Sequence, residues 1–147
     1  MIARPLAFCL VIVSLAVTEY AFACTCAAPA TTEKAFQQSS AVFHGRVKQI
    51  SRPFLDRIGI TDSGLYHVRF EIIKSWKSAG SGEVVVKTRL SGEACGYPFE
   101  TGQDYLVYVA KIFGGIETGI CTGTRKISGA TPELEELDAL LEQSGDQ

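Results

Sequence analysis

The sequence predicts a mainly β domain: a five-stranded Greek-key barrel on the OB-fold plan, with a short N-terminal helix and a C-terminal helix. Three observations predict it. Short runs of β-branched and aromatic residues recur along the chain, separated by turns rich in glycine, serine and proline. One of these runs alternates cleanly in period two. Helical signals are confined to the two flanks of the strand region. Periodicity alone would also permit a two-sheet sandwich.

The elements follow in order. Thr32 to Gln38 has the composition of a short helix, with Thr31 or Thr32 as its cap. Ala41 to Ile50 reads as a strand, and Gly45 inside it marks a bulge. Arg52 to Gly64 is a polar loop containing proline and glycine, long enough for a functional protrusion; no residue in it carries a signal of its own, so an unconstrained connection is the simpler expectation. His67 to Ile73 places Val68, Phe70 and Ile72 on one face and His67, Arg69 and Glu71 on the other. Trp76 follows, then a turn from Ser78 to Gly82. Val84 to Thr88 and Asp104 to Ala110 are further strands, and Gly114-Gly115 fits a hairpin turn into a strand from Ile116 to Ile120. In the last helix Thr131 is the expected cap and Pro132 the first helical residue, with Glu133, Glu135 and Glu136 at the positive end. Leu134, Leu137, Leu140 and Leu141 form its apolar stripe.

Residues 1–23 carry the parts of a secretory signal peptide: Arg4, an apolar core from Leu6 to Val17, and the small-x-small site Ala21-Phe22-Ala23. The core is shorter than the roughly 20 residues of a membrane span. Cleavage after Ala23 leaves a single domain, 24–147, that begins with Cys24, and it predicts a secreted or periplasmic protein. Five cysteines become four once Cys9 is removed, an even number that predicts disulfides with three possible pairings. Cys24 and Cys26 are poorly placed to bond each other, since an i,i+2 bridge closes a strained ring, so each pairs with Cys95 or Cys121. The net charge of −2, with no basic patch, argues against nucleic acid or an anionic membrane as a partner.

A cysteine that is both the new N-terminus and half of Cys24-Thr25-Cys26 offers its α-amino group and carbonyl oxygen as a five-membered chelate for a metal ion. Cys24-Thr25-Cys26 followed by Pro29, Val42-Phe43-His44-Gly45-Arg46-Val47, Cys95-Gly96-Tyr97, Tyr105-Leu106-Val107 and Cys121 together resemble the inhibitory domain of the tissue inhibitors of metalloproteinases. That is the netrin-like domain, here in a single-domain form such as a bacterial relative would have. The resemblance covers nearly all of residues 24–147. It implies the disulfides Cys24–Cys95 and Cys26–Cys121; the family's third disulfide in this domain has no counterpart, because no cysteine lies between Cys26 and Cys95. It also implies a zinc metalloendopeptidase as partner. The amine and carbonyl of Cys24 would chelate the partner's catalytic zinc at the position it keeps open for water. Thr25 would enter the adjoining specificity pocket, and Gly92, Glu93 and Ala94 would contact the same cleft. Disulfide pre-organisation would lower the entropic cost of binding.

The other chemistry-bearing residues support blander expectations. His44 and His67 lie in strands without a metal-binding spacing. Asp56, Asp62, Glu71 and Glu93 have no spacing that makes an acid pair. Trp76, Tyr97, Phe99, Tyr105 and Tyr108 suit core and barrel-rim packing. No enzyme, no cofactor and no metal of its own are expected, and the chain is expected to be a monomer. The competing function is a non-inhibitory extracellular or periplasmic interaction module. A lipid-anchored surface protein is disfavoured by Ala21, where the residue three before a lipidated cysteine is usually leucine.

Overall fold

The computed structural model describes Cys24, Cys26 and residues 31–89, 95–112 and 115–145. The proposed leader, Thr25 and the stretch containing Gly92, Glu93 and Ala94 lie outside the described residues. Helix α1 spans Thr32–Gln38 and is capped by Thr31, whose hydroxyl accepts the Lys34 N–H at 3.2 Å. The strands are β1 (Ala41–Ser51), β2 (Leu65–Lys77), β3 (Gly82–Arg89), β4 (Asp104–Ile112), β5 (Gly115–Glu117) and β6 (Arg125–Lys126). Between β1 and β2 lies a single helical turn, α2 (Phe54–Arg57), and α3 spans Thr131–Gly145.

The strands are hydrogen-bonded in the order β1-β2-β3-β5-β4, and β4 pairs again with β1, which closes the five-stranded barrel. All these pairings are antiparallel except β3 with β5, which meet in parallel at Lys87 and Glu117. This order is the OB-fold plan. β6 adds two residues to the other side of β4. The expected bulge at Gly45 is present as a register shift between His44 and Gly45 against β2.

Two cores flank the barrel wall. Phe43, Val47, Val68, Phe70, Val86, Tyr105, Val107 and Val109 fill the interior. On the outside, Val42, Trp76, Leu106 and Tyr108 are covered by Ala35 of α1 and by Ala130 and Leu137 at α3. β4 is therefore buried on both faces, which explains why Asp104 to Ala110 reads as an apolar run without alternation. Leu137 is fully buried and Leu134 and Leu140 pack beside it, whereas Leu141 lies at the exposed edge of the stripe. Truncating Leu137 to alanine would cost about 2–5 kcal/mol. Trp76 is the last buried residue of β2 rather than a residue beyond it; its indole N–H donates to Asp138 of α3 at 2.6 Å, as does Lys74.

Four expectations need correction. The strand expected over Ile116–Ile120 stops at Glu117, and Ile120 begins a 3-10 turn. There Thr118 turns its hydroxyl inward to the Tyr108 carbonyl (2.8 Å), which ends the extended pairing. The cap of α3 is displaced by one residue: Ala130 accepts the Leu134 N–H, so Thr131 is already helical. Trp76 belongs to β2, as above. The Arg52–Gly64 connection is not unconstrained. Its Asp56 is buried, with 6% of its surface exposed, and accepts hydrogen bonds from the hydroxyls of Thr61 and Ser63 and from the Ser63 N–H. Those bonds, led by the one from Ser63, hold its carboxyl below the usual aspartate range.

Candidate functional site

Cys24 is bonded to Cys95 and Cys26 to Cys121, with Cα separations of 5.7 and 5.1 Å. Of the three pairings open to four cysteines, this is the one the resemblance implies. Disulfides of this kind persist in an oxidising environment. Both N-terminal cysteines are half-buried.

The two receiving cysteines sit on backbone that is tied together. The Cys95 carbonyl accepts the Ile120 N–H at 3.1 Å, and Ile120 immediately precedes Cys121 in the 3-10 turn Ile120–Thr122. The approach is close enough to demand glycine: a Cβ at Gly119 would stand 2.3 Å from the Cys95 oxygen. On its other side the Cys95 segment is pressed onto the end of β3. A Cβ at Gly96 would stand 1.9 Å from the Arg89 carbonyl oxygen, and the Tyr97 N–H donates to the Thr88 hydroxyl at 2.9 Å. Cys95 itself has φ 56°, in the left-handed region uncommon for a residue with a Cβ. The segment after the hairpin is held equally well, since the Thr118 N–H donates to the Lys87 carbonyl at 2.9 Å. Behind it Thr118, Thr122 and Thr124 share hydroxyl contacts of 2.7–3.1 Å. Cys24 and Cys26 are thus fixed to a platform made of the end of β3, the Cys95–Tyr97 stretch and the Gly119–Thr122 turn.

The platform brings together Cys24, Cys26, Cys95 and Cys121 from the sequence-predicted set. The positions of Thr25, Gly92, Glu93 and Ala94 fall outside the described residues. In the sequence Gly96 is marked only within the Cys95-Gly96-Tyr97 motif and Ile120 only as the end of a strand, and Gly119 is not singled out; these three join the two bridges. Their signal was a glycine within two residues of each receiving cysteine, but only the folded backbone shows what each glycine approaches.

Beside Cys121, a cleft of about 780 Å³ opens between α1, the turn and the start of α3. One wall carries Glu133, whose Oε1 accepts the buried Tyr108 hydroxyl at 2.6 Å. Its Oε2 lies 3.2 Å from Arg125 Nε, an ion pair without hydrogen-bond alignment. Burial first, and then Glu133, push the Tyr108 hydroxyl far above the tyrosine range, so it is a fixed donor and not a proton-transfer group.

The remaining polar candidates are engaged with separate partners. His44 Nε2 lies 3.1 Å from Asp104, which also receives Arg46 at 2.7 and 3.1 Å; the bond from Arg46 is the main reason its carboxyl titrates low. His67 is half-buried. Glu71 pairs with Lys48 and Asp62 with Arg52, so neither forms an acid pair with Asp56. Tyr105 packs edge-on against Tyr97 and Phe99, whose own rings are tilted at 44°, with ring centroids 4.7–5.6 Å apart. Among the described residues no three His, Cys, Asp or Glu side chains gather as a metal site, and no helix is long and apolar enough to cross a membrane. Scanned against models of known families and against curated proteins, the sequence gives no match.

Proposed function

We propose that this protein is an exported inhibitor of a zinc endopeptidase, acting through the α-amino group and carbonyl oxygen of a processed N-terminal Cys24. The observation that supports this reading most is the covalent fixing of Cys24 to Cys95, whose carbonyl is in turn bonded to the neighbour of Cys121. An amine on a free chain end would lose much of its affinity to ordering; one on a double-bridged platform is ordered before it meets the metal. A neutral amine and a carbonyl oxygen can replace the water of a catalytic zinc. Thr25 is the residue next to the metal in this reading, and Gly92, Glu93 and Ala94 flank it through their link to Cys95. The resemblance to the tissue inhibitors of metalloproteinases supplies the same roles.

The test is inhibition of a panel of zinc endopeptidases by the oxidised protein beginning at Cys24, beside a version with one additional N-terminal alanine. The first should inhibit and the second should lose at least roughly a hundredfold, because the amine no longer reaches the metal. Equal inhibition by both, or by neither, overturns the proposal. A Thr25→Gly change should weaken inhibition while leaving any binding through the Arg52–Gly64 protrusion intact. That protrusion is the observation favouring the second reading, an interaction module that inhibits nothing.

A further inference from the structure

The connection between β1 and β2 has an inverted polarity. The Asp56 carboxylate is turned inward, and the large apolar side chains face solvent. Phe54, Leu55, Ile58 and Ile60 are 67%, 47%, 51% and 68% exposed, all within one turn of helix and the bend that follows it. The presentation is built, not accidental. Asp56 sits beneath them, buried, with Thr61 and Ser63 as its donors. Every amide N–H from Arg57 to Thr61 is used inside the loop: Arg57 donates to Pro53, Ile58 to Phe54, Gly59 to Asp56, and both Ile60 and Thr61 to Leu55, at 2.9–3.3 Å.

We infer that, although the overall charge of −2 argues against such a partner, this tip locally seats the domain on a lipid bilayer surface that carries anionic headgroups. Three features choose that occupant over a protein. A hydrocarbon medium favours backbone whose donors are bonded internally, which is the state of the amide N–H groups of residues 57–61. A loop that docked by main-chain pairing would keep such groups open. The formal charges of the connection balance, and the one that is exposed without a partner among the described residues is cationic: Asp56 is buried, Asp62 is paired with Arg52 at 3.0 Å, and Arg57 is exposed. An arginine next to inserted aliphatic and aromatic side chains matches a lipid phosphate. The tip is also small. Four side chains fall far short of the roughly 20–30 residues a side of a stable protein interface, whereas shallow insertion at the headgroup boundary has no such minimum.

The test uses the oxidised, exported protein, with intact mass showing no acyl chain, and sedimentation with vesicles of phosphatidylcholine alone or mixed with phosphatidylglycerol. The native protein should bind the mixed vesicles more tightly than the neutral ones. The Phe54→Ser/Ile60→Ser variant should lose roughly tenfold or more on both, since two large apolar contacts are removed. Arg57→Gln should lose about fivefold on the mixed vesicles and little on the neutral ones. Because these side chains are exposed, near-ultraviolet circular dichroism should match the native protein. A second readout does not depend on that comparison: the sole native tryptophan, Trp76, is buried, so an emission blue-shift of a Phe54→Trp variant on adding vesicles reports insertion at the tip. Absence of native binding, equal binding by the double variant, or sedimentation without a blue-shift overturns the inference. So does finding that the tip variants only convert a dimer to a monomer.

Discussion

The platform under Cys24 and the protrusion above β1 are both irregular backbone held in one conformation, and they are held by different means. At the platform, two covalent bonds and close backbone approaches at Gly96 and Gly119 fix the chain. At the protrusion, one buried carboxylate and the hydroxyls of Thr61 and Ser63 do so, with no covalent bridge. The first arrangement depends on contacts 71 and 95 residues apart in sequence; the second is confined to seven residues of chain between Asp56 and Ser63. Covalent fixing is indifferent to pH and sensitive to reductant, and the carboxylate arrangement is the reverse. The two regions therefore report on different perturbations.

The strongest break of this contrast is removal of one bridge. Replacing Cys26 and Cys121 together by serine should cost about 4 kcal/mol of stability in denaturant unfolding, given the long loop that the bridge closes. Vesicle binding through the tip should survive in the folded fraction. Next, Gly119→Ala forces the Cys95 carbonyl away and should cost about 1–3 kcal/mol without touching either sulfur, which separates backbone fit from the bridge itself. Asp56→Ala acts on the other region. Trypsin should then cleave after Arg57 several-fold faster than in the native protein, with little change in global unfolding temperature. The smallest effect is the acid response. Asp56 titrates below its ordinary value of 3.8, so its contribution is fully present above that value and is lost as pH falls through the lower, folded one. Amide signals of Ile60 and Ser63 should thus hold steady from neutrality down to about pH 4 and shift only below it. Movement of these signals near neutral pH would show that something other than Asp56 organises the loop.

Strand-forming stretches were legible because their side chains obey local rules. Val68, Phe70 and Ile72 alternate with charged residues, and the β1 glycine marks its bulge. What was not legible depends on partners far along the chain. Ile116–Ile120 has the composition of a strand, yet Thr118 is drawn to Tyr108 and Ile120 to the Cys95 carbonyl, contacts invisible to periodicity. Leu141 continues the apolar stripe in sequence yet lies at its exposed edge. The protrusion is a different case. Asp56, Thr61 and Ser63 are close neighbours in sequence, and an aspartate followed by hydroxyl residues is a local signal for side chain-to-backbone turns that composition alone does not weigh. Thr31, one of the two threonines expected as the cap of α1, is a signal of the same kind. At the site, the even cysteine count indicated bridging, while the tie between the two bridges required the fold.

Barrel closure by β1 against β4 has a consequence for assembly. Ala41 meets Val109, so no closed barrel exists until the chain has been made past that point. Growing from its N-terminus, the polypeptide presents Cys24 and Cys26 first, Cys95 much later, and Cys121 only after β4 is complete. An oxidant that acts early therefore finds one late-arriving sulfur and two candidates for it, before the fourth cysteine can compete. The order of synthesis favours a wrong choice at Cys95 as readily as the right one, and only completion of β4 and the turn beyond it makes the native pair the lower in energy. The Cys26–Cys121 bridge can form only once the chain extends past Cys121, and the yield of the native pairing should rise with access to a thiol–disulfide isomerase.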